Sequence, residues 1–285
     1  MRLLDRVAVV TGAAAGIGAA VGRELHREGA RVVFADVEEQ GVREAAADLS
    51  ADGGRAVPFV GDVSREDDLR RLIAFAESTF GPVDLFHANA AISGLGGLEL
   101  ADSDWEAAWQ VNVMAHVRAA RLLVDGWVER GSGYFVSTAS AAGLLTQLGA
   151  GPYTLSKHAA VAFAEWLSVT YGESGVRVSC LCPQAVDTQM LATAHEHTSA
   201  GALGARAIEA SGVVVTPEYV AGCVVEAITS ERFLVLPHPE VAEYALRRAQ
   251  DHDRWLAGMR RLGARHRSDA TTDETHHRGE RWTSS

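Results

Sequence analysis

Tyr153 and Lys157 stand four residues apart in "GPYTLSKHAA", residues 151–160, directly after Pro152. On a helix, positions i and i+4 lie one above the other on the same face. A phenol titrates near pH 10, and a neighbouring ammonium favours its ionised form. Held together, the two side chains could take and return the proton of an alcohol. Taken alone, the pair reads more readily as solvated surface, because i,i+4 contacts are common and contribute little. Ser140 lies thirteen residues before Tyr153, just past an apolar run. Its hydroxyl could hydrogen-bond a carbonyl or alcohol oxygen.

A second constellation lies near the N-terminus. "TGAAAGIG", residues 11–18, follows an apolar β-branched run and precedes a helical pattern. At a strand-to-helix junction, Gly12, Gly16 and Gly18, with Ala15 and Ile17 between them, suit a phosphate cradle. Glycines let the backbone approach a pyrophosphate, and the helix N-terminus offers free N–H groups. Asp36 ends the next strand, 18 residues after Gly18. An acid there can accept hydrogen bonds from both hydroxyls of an adenosine ribose and would repel a 2′-phosphate. The turn carries no Arg or Lys, and Val37 follows the acid, so the predicted cofactor is NAD rather than NADP. Asp62 and Val63 in "GDVS" could flank an adenine, and the small residues of "NAA", Asn89, Ala90 and Ala91, leave room for a ligand.

These residues need a scaffold that brings them to one edge. Seven short β-branched runs alternate with helical patterns: "RVAVVT", "ARVVFADV", residues 55–61, "VDLFHANA", "GYFVSTAS", "VRVSCLCP" and "RFLVLP". Helices are predicted over 16–29, 38–51, 65–80, 103–130 and 153–173, with another in "TPEYVAGCVVEAIT". The alternation implies βαβ units. The predicted fold is therefore α/β, a Rossmann-type doubly wound parallel sheet of about seven strands with helices on both faces. In such sheets ligands bind beyond the carboxyl ends of the strands, which is where every residue above falls.

No linker or internal repeat divides the 285 residues, so one domain is predicted over 1–263. Residues 187–215 are long for a connection and rich in Ala and Gly, which suggests a lid. Residues 239–262 should form an extra helix carrying Val241, Tyr244, Trp255, Met259 and Leu262, with packing as its simplest role. Residues 264–285 are polar and expected to be disordered. Trp105 and Trp109, at i and i+4, are assigned to packing, and the histidines of "HEH" at 195–197 to the lid rather than to a metal.

A formal net charge of −11, with scattered arginines, argues against nucleic acid as a partner. Apolar residues make up 47% of the chain, but no run is long enough to span a membrane. No secretory signal is visible at the N-terminus, and Cys180, Cys182 and Cys223 form no disulfide or zinc framework. These features favour a reducing cytoplasm.

The chain resembles the short-chain dehydrogenase/reductase family, of its shorter, roughly 250-residue subtype. The motifs that carry this are "TGAAAGIG", "NAA", Asn112 in "VNV", Ser140 in "STASAAG", "YTLSK" at 153–157 and "CPQAVDT" at 182–188, in the family's order over residues 3–236. The resemblance implies an oxidoreductase interconverting a secondary alcohol and a ketone with NAD. Tyr153 would be its acid/base, Ser140 the substrate-oxygen donor, and Lys157 the group that lowers the tyrosine pKa and binds the nicotinamide ribose. Asn112 would hold a relay water, and Thr188, with Pro183 and Val186, would contact the cofactor. A homodimer or homotetramer is also implied. Two departures stand out: Ala91 and Gln184 replace glycines of the family pattern. Gln184 would either touch substrate or face solvent. The Ala- and Leu-rich lid with Met190 suggests an apolar substrate. A catalytically silent nucleotide sensor and a reductase of ketoacyl thioesters are the alternatives.

Overall fold

The computed structural model describes residues 1–47, 49, 55–197 and 212–279. Seven parallel strands form one sheet: β1 (Val7–Thr11), β2 (Arg31–Asp36), β3 (Ala56–Val60), β4 (Leu85–Ala88), β5 (Gly133–Thr138), β6 (Val176–Leu181) and β7 (Leu234–Val235). Their order is β3-β2-β1-β4-β5-β6-β7. This is the expected doubly wound sheet. The chain reverses its direction of travel at β1, which pairs with β2 on one side and β4 on the other.

Alternate side chains of each strand feed different cores. Val7 and Val9 join the core under α3 (Glu66–Phe80), α5 (Ala115–Arg130) and α7 (Gly151–Tyr171). Ala8 and Val10 join the core under α1 (Gly16–Arg27), α2 (Glu39–Ala47) and α9 (Pro217–Ser230). Burial on both faces explains why these strands read as continuous apolar runs. Local chemistry sets the helix ends. Three acids, Glu66, Asp67 and Asp68, open α3, where the helix dipole favours negative charge. Gly131 closes α5 at φ +62°. Thr216 caps α9 by accepting from the Tyr219 N–H at 3.2 Å, and Pro217 follows it at the first helical position.

Several boundaries differ from the sequence-based expectations. The helix predicted over 103–130 is α4 (Asp102–Trp109), a π turn at Gln110–Met114, and then α5. The helix predicted over 239–262 is two: α10 (Glu240–Gln250) and α11 (His252–Gly279). Asp251 breaks them. Its backbone leaves the helical region at φ −150°, and its carboxylate caps α11 by accepting the Arg254 N–H at 2.9 Å. The backbone of α11 continues past residue 263, where polar composition predicts a disordered tail. No proline lies in that stretch to interrupt the ladder. The short α6 (Ala141–Leu144) follows β5, and α8 (Gln189–His197) opens the predicted lid; residues 198–211 of the lid lie outside the described residues.

Both stems of the lid are anchored. The Asp187 N–H donates to Val215 O at 2.9 Å, and the Val215 N–H donates to Ala185 O at 3.1 Å. Buried His238 completes the junction: its Nδ1 accepts from the Gln184 N–H, so Nε2 carries the proton and faces the carbonyls of Ala185 and Val213, each at 3.0 Å.

Candidate active site

The carboxyl ends of the strands open onto one cleft of about 910 Å³. Of the site residues singled out from the sequence, all but Gly18 and Asn112 line it. At one end lies the junction of β1 and α1. A Cβ on Gly12 would sit 2.8 Å from the Ala90 Cα, and one on Gly18 would sit 2.1 Å from the Gly12 carbonyl oxygen. Gly18 thus makes the turn possible from behind the cleft wall. Ala15 caps α1 without a side-chain bond, and its carbonyl accepts from the Ala19 N–H. The N–H groups of Gly16 and Ile17 lie before that bond, at the positive end of a helix that borders the cleft, a setting that fits a phosphate.

Asp36 sits beside this turn. Its carboxylate accepts from the Ala14 N–H at 3.0 Å and the Glu38 N–H at 3.1 Å, which holds both loops in place and leaves acceptor capacity toward the cleft. Glu38 lines the same end, so two acids stand there, and the one cationic side chain among the lining residues, Lys157, stands beside Tyr153.

At the floor, a single amide ties three strand ends together. Asn89 Nδ2 donates to Thr11 O at 3.0 Å and more weakly to Gly12 O at 3.3 Å, while its Oδ1 accepts from Thr138 Oγ1 at 3.1 Å. Because that hydroxyl donates to Asn89, it must accept from His87 Nε2, 2.7 Å away in the interior. The Thr138 carbonyl, in turn, accepts from Lys157 Nζ at 2.8 Å. Lys157 is 1% exposed, and its ammonium lies 5.5 Å from the centre of the Tyr153 ring. Ser140 caps α6 by accepting from the Ala142 N–H at 3.1 Å. The start of α7 thus brings a phenol and an ammonium, and the start of α6 a hydroxyl, to a cleft whose far end suits an adenosine diphosphate.

Known proteins share this arrangement. The sequence model of the family described as short chain dehydrogenase matches residues 6–199. The chain belongs to the short chain dehydrogenase family. It is 36% identical over 244 residues to 1-deoxy-11-beta-hydroxypentalenate dehydrogenase of Streptomyces exfoliatus, covering 84% of this chain and 86% of that one. Among solved structures, a short chain dehydrogenase/reductase from Burkholderia phymatum in complex with NAD superposes with a TM-score of 0.81 at 30% identity, over 89% of this chain and 96% of that one. A single-residue variant of actinorhodin polyketide ketoreductase with NADPH superposes with a TM-score of 0.75, also at 30% identity, over 83% and 97%.

In this short chain dehydrogenase, the electrostatics around Tyr153 depart from the expectation. Burial raises the Tyr153 pKa above its ordinary value. The Ser140 hydroxyl opposes that rise, and Lys157 is not among the groups that lower it. The ammonium is committed to the Thr138 carbonyl, and its own burial lowers the lysine pKa to about 8. Burial outweighs the Ser140 hydroxyl, so the phenol stands above its ordinary value rather than below it.

A stability prediction follows from the lysine. Its folded pKa of about 8 lies below the ordinary value of 10.5, so below pH 8 the fold carries a buried charge at full cost. That cost, on the order of 3 kcal/mol by the shift alone, fades as pH rises toward 10.5. Lys157→Met is expected to be more stable than wild type at pH 7 by less than this, because the Thr138 carbonyl loses its donor. The advantage should shrink by pH 9.5. Urea midpoints of both proteins at the two pH values provide the check; an advantage that grows with pH would contradict the assignment.

Asn112 stands back from the cleft wall. It is fully buried in the π turn, where Oδ1 accepts from the Ile92 N–H at 2.9 Å and Nδ2 donates to Ile92 O and Ser156 Oγ, both at 3.0 Å. Its amide clamps the segment after β4 to α7, and Asn112 is not among the residues that line the cleft. Gln184 and Met190, the two substrate contacts suggested by sequence, do line the cleft, as do Pro183, Val186 and Thr188. So do Tyr244, Trp255, Met259 and Leu262, which helical spacing alone assigns to packing. Glu38 escapes the sequence reading as well; a second acid two residues after Asp36 is the available signal.

Proposed function

We propose that the cleft interconverts a secondary alcohol and a ketone with NAD. The observation that carries this is the convergence of Tyr153, Ser140 and Lys157 on one wall of a cleft that ends in a bare helix N-terminus and two carboxylates. When bound, NAD supplies the hydride acceptor for alcohol oxidation and, reduced, the donor for ketone reduction. The chain's own residues do the rest. Tyr153 exchanges a proton at the substrate oxygen, and Ser140 holds that oxygen by a hydrogen bond. Lys157, fixed by the Thr138 carbonyl, would bind the nicotinamide ribose. Gly12, Ala15, Gly16, Ile17, Asp62, Val63, Asn89, Ala90, Pro183, Val186 and Thr188 line the path for the rest of the dinucleotide.

Asp36 and Glu38 select NAD, because a 2′-phosphate placed there would meet two negative charges and no arginine or lysine. Asp36→Ser is expected to weaken NAD by about tenfold, the loss of one charge-assisted hydrogen bond, and to narrow the gap to NADP. Fluorescence titrations with both dinucleotides test it, and tighter NADP than NAD binding by the wild type would refute the preference. A panel of secondary alcohols with NAD, followed by absorbance of the reduced cofactor, tests the reaction. Binding without turnover across the panel would favour a nucleotide sensor.

One observation favours a ketoacyl thioester as the substrate. Arg247, Arg254 and Arg261 line a recess that shares Tyr244, Trp255 and Met259 with the cleft wall. Asp251 lines the same recess and Glu243 pairs with Arg247, which offsets part of that charge. Reduction of acetoacetyl thioesters faster than of simple ketones would support this second reading.

A homodimer or homotetramer is also proposed. Leu155, Trp166 and Val169 form an exposed apolar stripe along α7, with Val169 85% exposed. Light scattering after gel filtration measures the assembly. Among the described residues no helix is long and apolar enough to cross a membrane. The free thiols of Cys180 and Cys182, 3.8 Å apart in the core, support placement in the cytoplasm.

A further inference from the structure

The two ends of the cleft differ in chemistry. The charged side chains among its lining residues are Asp36, Glu38, Asp62 and Lys157, all in the dinucleotide half or at the catalytic wall. The rest of the lining is uncharged: Leu145, Thr146, Gln147 and Leu148 come from the segment after Ser140, and the C-terminal helices add the largely apolar surfaces of Tyr244, Trp255, Met259 and Leu262. The helix pair that the sheet does not need thus supplies four of these surfaces, two of them rigid rings.

Arg248 ties the pair to the catalytic segment. The Arg248 guanidinium, from α10, lies 5.7 Å over the Trp255 ring of α11. Its Nη1 donates to the Leu144 carbonyl at 3.2 Å, at the end of the short α6 that Ser140 caps. A cation held over an aromatic face and bonded to a carbonyl fixes both partners. The wall position is therefore set relative to the serine that would hold the substrate oxygen.

We propose that Tyr244, Trp255, Met259 and Leu262 are the specificity site of this enzyme, built for an uncharged, ring-sized apolar ketone or alcohol, with Arg248 as the residue that positions them. This rests on the dehydrogenase reading above. Arg247 and Arg248 lie over the Tyr244 and Trp255 rings, but no arginine is among the residues that line the cleft itself, so what these walls offer a substrate is apolar area, and fused-ring substrates gain over short ones.

The test uses the full chain with 2-decalol, a fused bicyclic secondary alcohol, against 2-propanol. Wild type should prefer 2-decalol in kcat/KM. Trp255→Ala should cut the ratio of the two by about tenfold, the scale of a lost aromatic contact. Met259→Ala should move it the same way and stands in if the first variant fails to fold. Arg248→Gln should raise KM for 2-decalol several-fold more than KM for 2-propanol, a split that general loss of structure would not give. Calorimetric binding of 2-decalone in the presence of NAD, where a ketone cannot turn over, should weaken in the same variants and stay unchanged in Val169→Ala. A ratio unmoved by both wall variants, or a wild type that prefers 2-propanol, would overturn the proposal. Tight 2-decalone binding with no alcohol oxidised would keep the wall and remove the dehydrogenase reading instead.

Discussion

Tyr153→Phe is expected to lower turnover by about 10³-fold, within the range that a positioned acid/base contributes, while NAD affinity changes less than about threefold. The asymmetry comes from geometry. The ring would remain in place against the Lys157 ammonium, 5.5 Å from its centre, so removing one hydroxyl leaves the floor of the cleft intact. The Thr138 carbonyl still fixes the lysine, and the helix N-terminus with Asp36 and Glu38 lies at the other end of the cleft. What disappears is the group that exchanges a proton with the substrate oxygen. Burial raises the pKa of that group, which favours its protonated form. Ketone reduction, which needs the phenol as an acid, should therefore stay fast toward higher pH than a tyrosine tuned by lysine alone would allow. Single-turnover rates with NADH and a ketone across pH 6–9 measure this. A Phe variant with near-native rate would remove Tyr153 from the chemistry.

The second large effect concerns acid stability. His87 and His116 are buried, and burial lowers each pKa to about 3 from the ordinary 6.5, with the Lys157 and His87 charges adding to the effect at His116. The unfolded chain takes up protons on both imidazoles below pH 6.5, and the folded chain does so only near pH 3. Stability is therefore complete above pH 6.5 and falls as pH drops, by about 1.4 kcal/mol per unit for each histidine in the middle of that window. Together they remove on the order of 5 kcal/mol between pH 6.5 and 4.5, a large share of the 5–15 kcal/mol typical of a folded protein. Neither ring is hydrogen-bonded to a carboxylate: His87 Nε2 meets Thr138 Oγ1, and His116 Nδ1 meets Ser137 Oγ at 3.0 Å. His87→Gln or His116→Gln should each cut the pH slope of the denaturation free energy between pH 6 and 4 by about 1.4 kcal/mol per unit. A slope that neither variant changes would show that the imidazoles are protonated without unfolding.

Much of this was legible in the sequence because it depends on local pattern. Strands buried on both faces, such as Val7–Thr11 and Arg31–Asp36, write themselves as apolar β-branched runs. The turn at Gly12 to Gly18 is legible because a Cβ at either end would collide with backbone. What was hidden depends on three-dimensional burial or on which face a side chain turns. The spacing of Tyr153 and Lys157 says that they are neighbours, but not that the ammonium would be spent on Thr138 and that desolvation would dominate the phenol. The π turn that rotates Asn112 inward leaves no signature in "VNV". Trp255 and Met259 show helical spacing whether they face a core or a cavity, and Asp251 reads as one more charge until it is seen to cap a helix.

The amide of Asn89 has a mechanical consequence. It gathers the tips of β1, β4 and β5 into one knot, and Lys157 hangs from the same knot through Thr138. The dinucleotide platform and the proton-handling wall cannot loosen independently. Any breathing motion that frees one scatters the other, so the site should open and close as a single cooperative unit, with the amides of Thr11, Asn89 and Ala139 exchanging with solvent at a common rate.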